Sequence, residues 1–130
     1  MFRLCRTTVP SIAFNRVRSF HSTNIKMAVQ ELKNLEEFQK AIASSKLSVI
    51  DFHATWCGPC KAIAPKVQQF SEEFTDAAFY KIDVDEVPDV ASKCEIKAMP
   101  TIQFYKDGKK IQEVVGANVG AIQQAVTANI

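Results

Sequence analysis

A chain of 130 residues with 47% hydrophobic content fits one domain of ordinary size with its own core, which excludes general disorder. The formal net charge of +2 conceals an asymmetry: Arg3, Arg6, Arg16, Arg18 and Lys26 fall in the first 26 residues, which hold no acid, while the remainder carries eleven basic and fourteen acidic groups, a net of −3. That mildly acidic body gives no electrostatic basis for binding nucleic acid, and no apolar run is long enough to span a bilayer.

Residues 1–26 read as a mitochondrial targeting presequence, cleaved from a domain at 27–130. Spaced arginines alternate there with Thr7, Thr8, Ser11, Ser19, Ser22 and Thr23, and with apolar Phe2, Leu4, Val9, Ile12, Phe14, Val17 and Phe20. A secretory signal needs an unbroken apolar middle, and Asn15, Arg16 and Arg18 interrupt one. The stretch from Arg18 to Thr23 resembles mitochondrial processing sites, which places cleavage within 20–27 and the mature protein in the matrix. The competing reading is a disordered basic tail without an address. Cys5 falls in this segment. Cys57, Cys60 and Cys94 remain, an odd number in a chain without a secretory signal, which fits a reducing compartment with one working pair rather than a disulfide scaffold.

A short strand is expected near Ala28–Glu31, then a helix over Leu35–Ser44 capped by Asn34, with Leu35, Phe38 and Ile42 on one face. Lys46–Ala54 reads as a strand apolar on both faces, the pattern of a central strand covered on both sides. The spacing of Ile63, Val67, Phe70 and Phe74 predicts a helix from about Gly58 to Phe74, with Pro65 removing one hydrogen bond inside it. Phe79–Val84 is the next strand, and Asp85-Glu86-Val87-Pro88 opens a short helix to about Cys94. Met99-Pro100 leads into a strand over Thr101–Lys106. Asp107-Gly108 is a hairpin signal that returns Lys110–Val115 antiparallel to it. Gly116 ends that strand, and a last helix from about Asn118 carries Ile122, Val126 and Ile130 at spacing four. Helical crossovers imply that the first three strands are parallel, so the expected architecture is α/β: a mixed sheet with a parallel core, an antiparallel C-terminal hairpin and helices on both faces.

Chemistry in such sheets gathers at strand carboxyl ends, and there stands Trp56-Cys57-Gly58-Pro59-Cys60-Lys61. A Cys-x-x-Cys pair can hold zinc, anchor haem or exchange disulfides. Zinc needs further ligands, and only Cys94 and His53 are on offer; haem attachment needs a histidine where Lys61 stands. Thiol exchange fits better. Cys57 sits at a helix N-terminus, where the dipole and free N–H groups favour a thiolate. Cys60 lies on the stripe of Ile63 and Val67, so spacing predicts an exposed attacking sulfur at Cys57 and a sheltered resolving one at Cys60. Cys57 would attack a substrate disulfide, and Cys60 would then release the product by attacking Cys57. Asp51, between Ile50 and Phe52, is the candidate base for Cys60; burial should raise its pKa, with Lys81 as counter-charge. The duller alternative for Asp51 is a strand-end carboxylate in ordinary contact with solvent.

The run Ala54-Thr55-Trp56-Cys57-Gly58-Pro59-Cys60-Lys61, with Asp51 upstream, Pro65 in the following helix, Met99-Pro100-Thr101 and Gly116, resembles the thioredoxin family over about residues 28–130. With the presequence, it is most similar to a fungal mitochondrial member. The resemblance implies a thioredoxin-like fold and a protein-disulfide reductase that donates electrons to clients in redox homeostasis and oxidative-stress defence. Its one redox group would be a Cys57–Cys60 disulfide, with no bound cofactor or metal. The resemblance also implies a cis-proline at Pro100, proton transfer through Asp51, and a substrate surface from Trp56, Met99, Pro100, Gly116 and Ala117. Ordinary packing is the alternative for Trp56 and Met99. Gly58 and Pro59 between the cysteines resemble reductases, whereas oxidases and isomerases of the superfamily carry histidine there. The implied partners of this monomer are an NADPH-dependent thioredoxin reductase and clients such as peroxiredoxins and methionine sulfoxide reductases, with neither nucleic acid nor membrane. Two positions depart from the pattern or add to it. His53 replaces a frequent aromatic residue and is either a packed neutral ring or a titrating group near the site. Cys94 is either a modifiable thiol or a small buried hydrophobe near a helix end.

Overall fold

The computed structural model describes residues 29–130. Residues 1–26, read above as a targeting presequence, with Cys5 among them, and Ala28 at the start of the first expected strand lie outside the described residues. The elements are β1 (Gln30–Glu31), α1 (Leu35–Ile42), β2 (Leu47–His53), α2 (Gly58–Glu73), β3 (Ala77–Asp83), α3 (Pro88–Lys93), β4 (Thr101–Lys106), β5 (Lys109–Val115) and α4 (Val119–Asn129). Their order is the expected one.

The sheet runs β1-β3-β2-β4-β5. β1 and β2 flank β3 in parallel, β4 lies antiparallel to β2, and β5 pairs antiparallel with β4. The hairpin therefore extends the parallel part from its β2 side and leaves β2 at the centre. Alternation along β2 sorts its residues between two cores. Leu47 and Val49 join Phe79, Ile102 and Phe104 beneath Ile63, Val67 and Phe70 of α2 and Ile122 and Val126 of α4. Ile50 and Phe52 join Ile82 on the opposite face, beneath Phe38 of α1 and Val90 of α3.

Local chemistry fixes the ends. The Asn34 side chain accepts the Glu37 N–H at 2.8 Å and caps α1. Asp107 and Gly108 take φ of 53° and 81°, the paired left-handed conformation that a two-residue hairpin turn demands. Their N–H groups donate to the carbonyls of Ser44 and Ile42, which ties the hairpin tip to the loop between α1 and β2. Three details differ from expectation. β3 begins at Ala77, which is fully buried and pairs with Leu47; the two alanines ahead of Phe79 lack the β-branched or aromatic signal of a strand. α3 starts only at Pro88, because Asp85 is held in a turn by its N–H bond to the Asp83 carboxylate. Ile130 is 48% exposed rather than part of the buried stripe, since it lies beyond the last helical residue of α4.

Phe104→Ala, which empties a fully buried ring position, should cost about 3–5 kcal/mol of unfolding free energy. Ile111→Ala on the outer face of β5 should change it by less than about 0.5 kcal/mol. Urea unfolding of the two variants checks this contrast.

Candidate active site

β2 ends at His53, and the chain turns through Ala54, Thr55 and Trp56 before α2 begins. The Cys57 N–H donates to the Ala54 carbonyl at 3.1 Å, which folds the turn back on the strand end. Cys57 is the N-cap of α2, and its Sγ accepts the Cys60 N–H at 3.2 Å. A sulfur atom here does the work usually given to Ser or Asp, satisfying a helix-start donor. Gly58 and Pro59 occupy the exposed first turn. Cys57 and Cys60, 5.3 Å apart at Cα, are joined by a disulfide.

The expected contrast between an exposed and a sheltered cysteine is not what this state shows. Cys57 is 4% exposed and Cys60 3%. Bonding to Cys60 and accepting its N–H hold the Cys57 sulfur over the first helical turn. There the two cysteines cluster with Ala54, and Val84 and Met99 pack against them. Helical spacing describes where a side chain leaves the backbone and is blind to a lid contributed from elsewhere in the chain.

Asp51 lies on the α2 face of β2, in register with Lys81 of β3 and Ile102 of β4. It is 5% exposed, and its Oδ1 has no hydrogen-bond partner among the described residues. Burial pushes its carboxyl up to about 7, and the Lys81 ammonium offsets part of that rise. A cavity of about 410 Å³ is lined by Asp51, His53, Lys81 and Cys60, so the acid and the second cysteine border the same space. His53 is half-buried, and burial pulls its pKa below the ordinary value against the opposing pull of the Asp83 carboxylate.

Met99 reaches the cysteines from the loop before β4. The Met99–Pro100 peptide is cis and Pro100 is buried, as the motif implied. The Pro100 carbonyl accepts the Gly116 N–H at 2.8 Å, which brings the end of β5 beside it. Gly116 has φ of 94°, where any Cβ would be strained. Ala117 follows as an exposed residue. Trp56 is 69% exposed, and its indole N–H donates to the Asp85 carboxylate at 2.9 Å. Asp85 was not among the residues the sequence pointed to. It reads as first-turn acid for α3, and nothing local reveals a partner 29 positions away. Cys94 stands apart from this group. It ends α3, packs against the second core, and lies 3.5 Å from the Tyr105 hydroxyl, with burial pushing its thiol up.

A strand end that sets a Cys-x-x-Cys disulfide on a helix N-terminus above a buried carboxyl group defines a dithiol–disulfide oxidoreductase. Comparison with known proteins makes this more specific: the family model for thioredoxin matches residues 28–128. The chain is 57% identical over 103 residues to thioredoxin-2 of Saccharomyces cerevisiae, covering 78% of this chain and 99% of that one. Mitochondrial thioredoxin 3 of S. cerevisiae, solved in its oxidised form, shares 43% identity at a TM-score of 0.74, over 77% of this chain and 94% of that one. A chain from a structural study of thiol resolution in a yeast mitochondrial 1-Cys peroxiredoxin by glutathione/thioredoxin systems matches at 42% identity and TM-score 0.74, with the same coverage. The chain belongs to the thioredoxin family. It is accordingly a protein-disulfide oxidoreductase whose redox group is its own Cys57–Cys60 disulfide.

The raised Asp51 pKa carries a stability cost with a defined sign. Between the ordinary value of 3.8 and about 7, the folded protein keeps a proton that the unfolded chain releases. Unfolding free energy therefore falls as pH rises through that window, and the full cost applies above it. Asp51→Asn should stabilise the oxidised protein by about 2–4 kcal/mol at pH 8, with the gain vanishing near pH 3.5. Urea unfolding of both proteins at the two pH values checks it.

Proposed function

We propose that the protein is a mitochondrial protein-disulfide reductase in which Cys57 is the nucleophile, Cys60 the resolving thiol and Asp51 the proton acceptor for Cys60. The observation that carries this reading is the cavity shared by Asp51 and Cys60 beneath the start of α2. In the reduced protein, the Cys57 thiolate attacks one sulfur of a client disulfide and the other leaves as a thiolate. Cys60 then gives its proton to Asp51 and attacks Cys57. This closes the Cys57–Cys60 bond and releases the client's second sulfur. The client gains the two electrons that the protein loses, its two leaving thiolates take protons from solvent, and Asp51 holds the proton given up by Cys60. A carboxyl titrating near 7 suits both halves of this task, since it accepts a proton and gives it up again at ordinary pH. Gly58 and Pro59 keep the first turn of α2 free of any titrating side chain between the sulfurs.

Exposed Trp56, with Met99, Pro100, Gly116 and Ala117, supplies the client-facing surface, and an extended client segment pairs with the Met99 backbone. Large exposed apolar groups beside a reactive centre usually mark a docking surface. Re-reduction falls to an NADPH-dependent thioredoxin reductase, and peroxiredoxins and methionine sulfoxide reductases are the client classes. The similarity to a chain from a peroxiredoxin-resolution study supports the first of these. The mitochondrial address rests on the acid-free, arginine- and serine-rich composition of residues 1–26, and the likeness to a mitochondrial yeast thioredoxin agrees with it.

In an insulin-reduction assay with NADPH and thioredoxin reductase, the wild-type protein should turn over and Cys57→Ser should be inactive. Cys60→Ser should accumulate mixed disulfides with clients. Equal rates for wild type and Cys57→Ser, or trapping that requires Cys94, would remove these roles. A reporter carrying residues 1–27 should enter isolated mitochondria and be shortened there; a reporter left outside at full length would overturn the address.

A further inference from the structure

The cavity beneath α2 holds a second titratable side chain that the exchange steps above leave idle. His53 lies two residues beyond Asp51 on β2, so both leave the same face of the strand, about 7 Å apart along it. Both line the cavity that Cys60 closes from the helix side. Nε2 of His53 and Oδ1 of Asp51 are buried, and neither has a hydrogen-bond partner among the described residues. A buried polar atom left unpaired is costly, and one bound water in a shared polar cavity satisfies two such atoms at once. His53 as a whole is only half-buried, so the residue that holds this buried nitrogen also meets solvent.

We propose that His53 is a proton relay serving Asp51 in the resolving step: water held between its Nε2 and the Asp51 carboxyl links the Asp51 proton to bulk solvent. The inference rests on the assignment of Asp51 as acceptor for Cys60. When Cys60 attacks, its S–H proton passes to Asp51 and its sulfur electron pair forms the Cys57–Cys60 bond. The client sulfur leaves with the electron pair of the broken mixed disulfide and takes a proton from solvent. Asp51 then returns its proton through the water to Nε2, and the imidazole releases it outside, so neither side chain is changed overall. This requires a neutral ring with a free lone pair, and burial keeps His53 neutral near pH 7. The surrounding charges are mixed in sign. Asp83 of β3, Glu31 of β1 and Glu86 before α3 favour the transient imidazolium, whereas Lys81 of β3 opposes it. Lys61 of α2 also borders the cavity.

The test is a titration of the oxidised full chain by NMR, following the Asp51 carboxyl carbon and the His53 ring nitrogens, together with single-turnover resolution of a mixed disulfide against pH. In wild type, His53 should show an inflection at the Asp51 midpoint, and Asp51→Asn should abolish it. His53→Phe should raise the Asp51 midpoint by about one pH unit, a tenfold change in proton affinity, and move the pH profile of resolution with it. His53→Gln, which keeps a polar atom in the cavity, should restore most of both. Titrations of Asp51 and His53 that ignore each other, with a resolution profile indifferent to His53→Phe, would overturn the inference. If Asp51→Asn nevertheless slows resolution, only the role of His53 is lost; if it does not, the acceptor assignment falls as well. Should His53→Phe fail to fold, the coupled inflection in wild type and its loss in Asp51→Asn decide the question.

Discussion

A strand hydrogen-bonded on both edges and covered on both faces is largely shut off from water, and β2 is such a strand. Leu47 to Phe52 are all buried, so a carboxyl group placed among them loses most of its hydration. That one constraint supplies the site with its chemistry. It raises Asp51 into the physiological pH range while Lys81 keeps the charged form within reach. It also fixes the strand end rigidly enough for a four-residue turn to set Cys57 as the cap of α2. A protein that keeps such a group gives up stability to hold an acid titrating near 7 in the cavity beside Cys60, a trade expected at functional sites rather than in cores.

Much of the fold was legible because this sequence is locally consistent. Asn34, Asp107-Gly108 and Asn118 each announce an element boundary through their own side-chain or backbone chemistry, and each stands where it was expected. The apolar run of β2 revealed a central strand, and the lone carboxylate within it revealed a perturbed acid. The boundaries that moved were those set by weaker cues. Two alanines concealed the start of β3, and the turn ahead of α3 depends on a side-chain bond from Asp83 that no spacing rule encodes.

The site was legible in its chemistry and less so in its enclosure. Residue types at fixed spacing pointed to the two sulfurs and the acid, and the family resemblance pointed to the proline. Contacts between distant segments decided how these are covered, and such contacts leave no local trace. Met99 and Val84 close over the cysteines from two different loops, so Cys57 is as hidden as Cys60 in the disulfide state. Asp85 holds the indole of Trp56 from across the sheet end and fixes the orientation of a ring that is otherwise largely in solvent. His53 was open between two readings because its neighbours in sequence say nothing of the cavity beneath it.

The buried amide of Gln103 bears on the loop from Cys94 to Pro100 in a different way. Its Nε2 donates to the Cys94 carbonyl at 3.1 Å, and its Oε1 accepts the Tyr105 hydroxyl. At the other end of the loop, the Thr101 hydroxyl donates to the Ala98 carbonyl at 2.6 Å. The segment that presents Met99 is thus a short bridge bolted at both abutments, one of them inside the core. Met99 is therefore held against the cysteines by a loop whose shape is set in advance. A tether of this kind also transmits core changes outward: Gln103, fully buried, is a position where substitution would loosen the loop that packs Met99 against the cysteines without touching a sulfur.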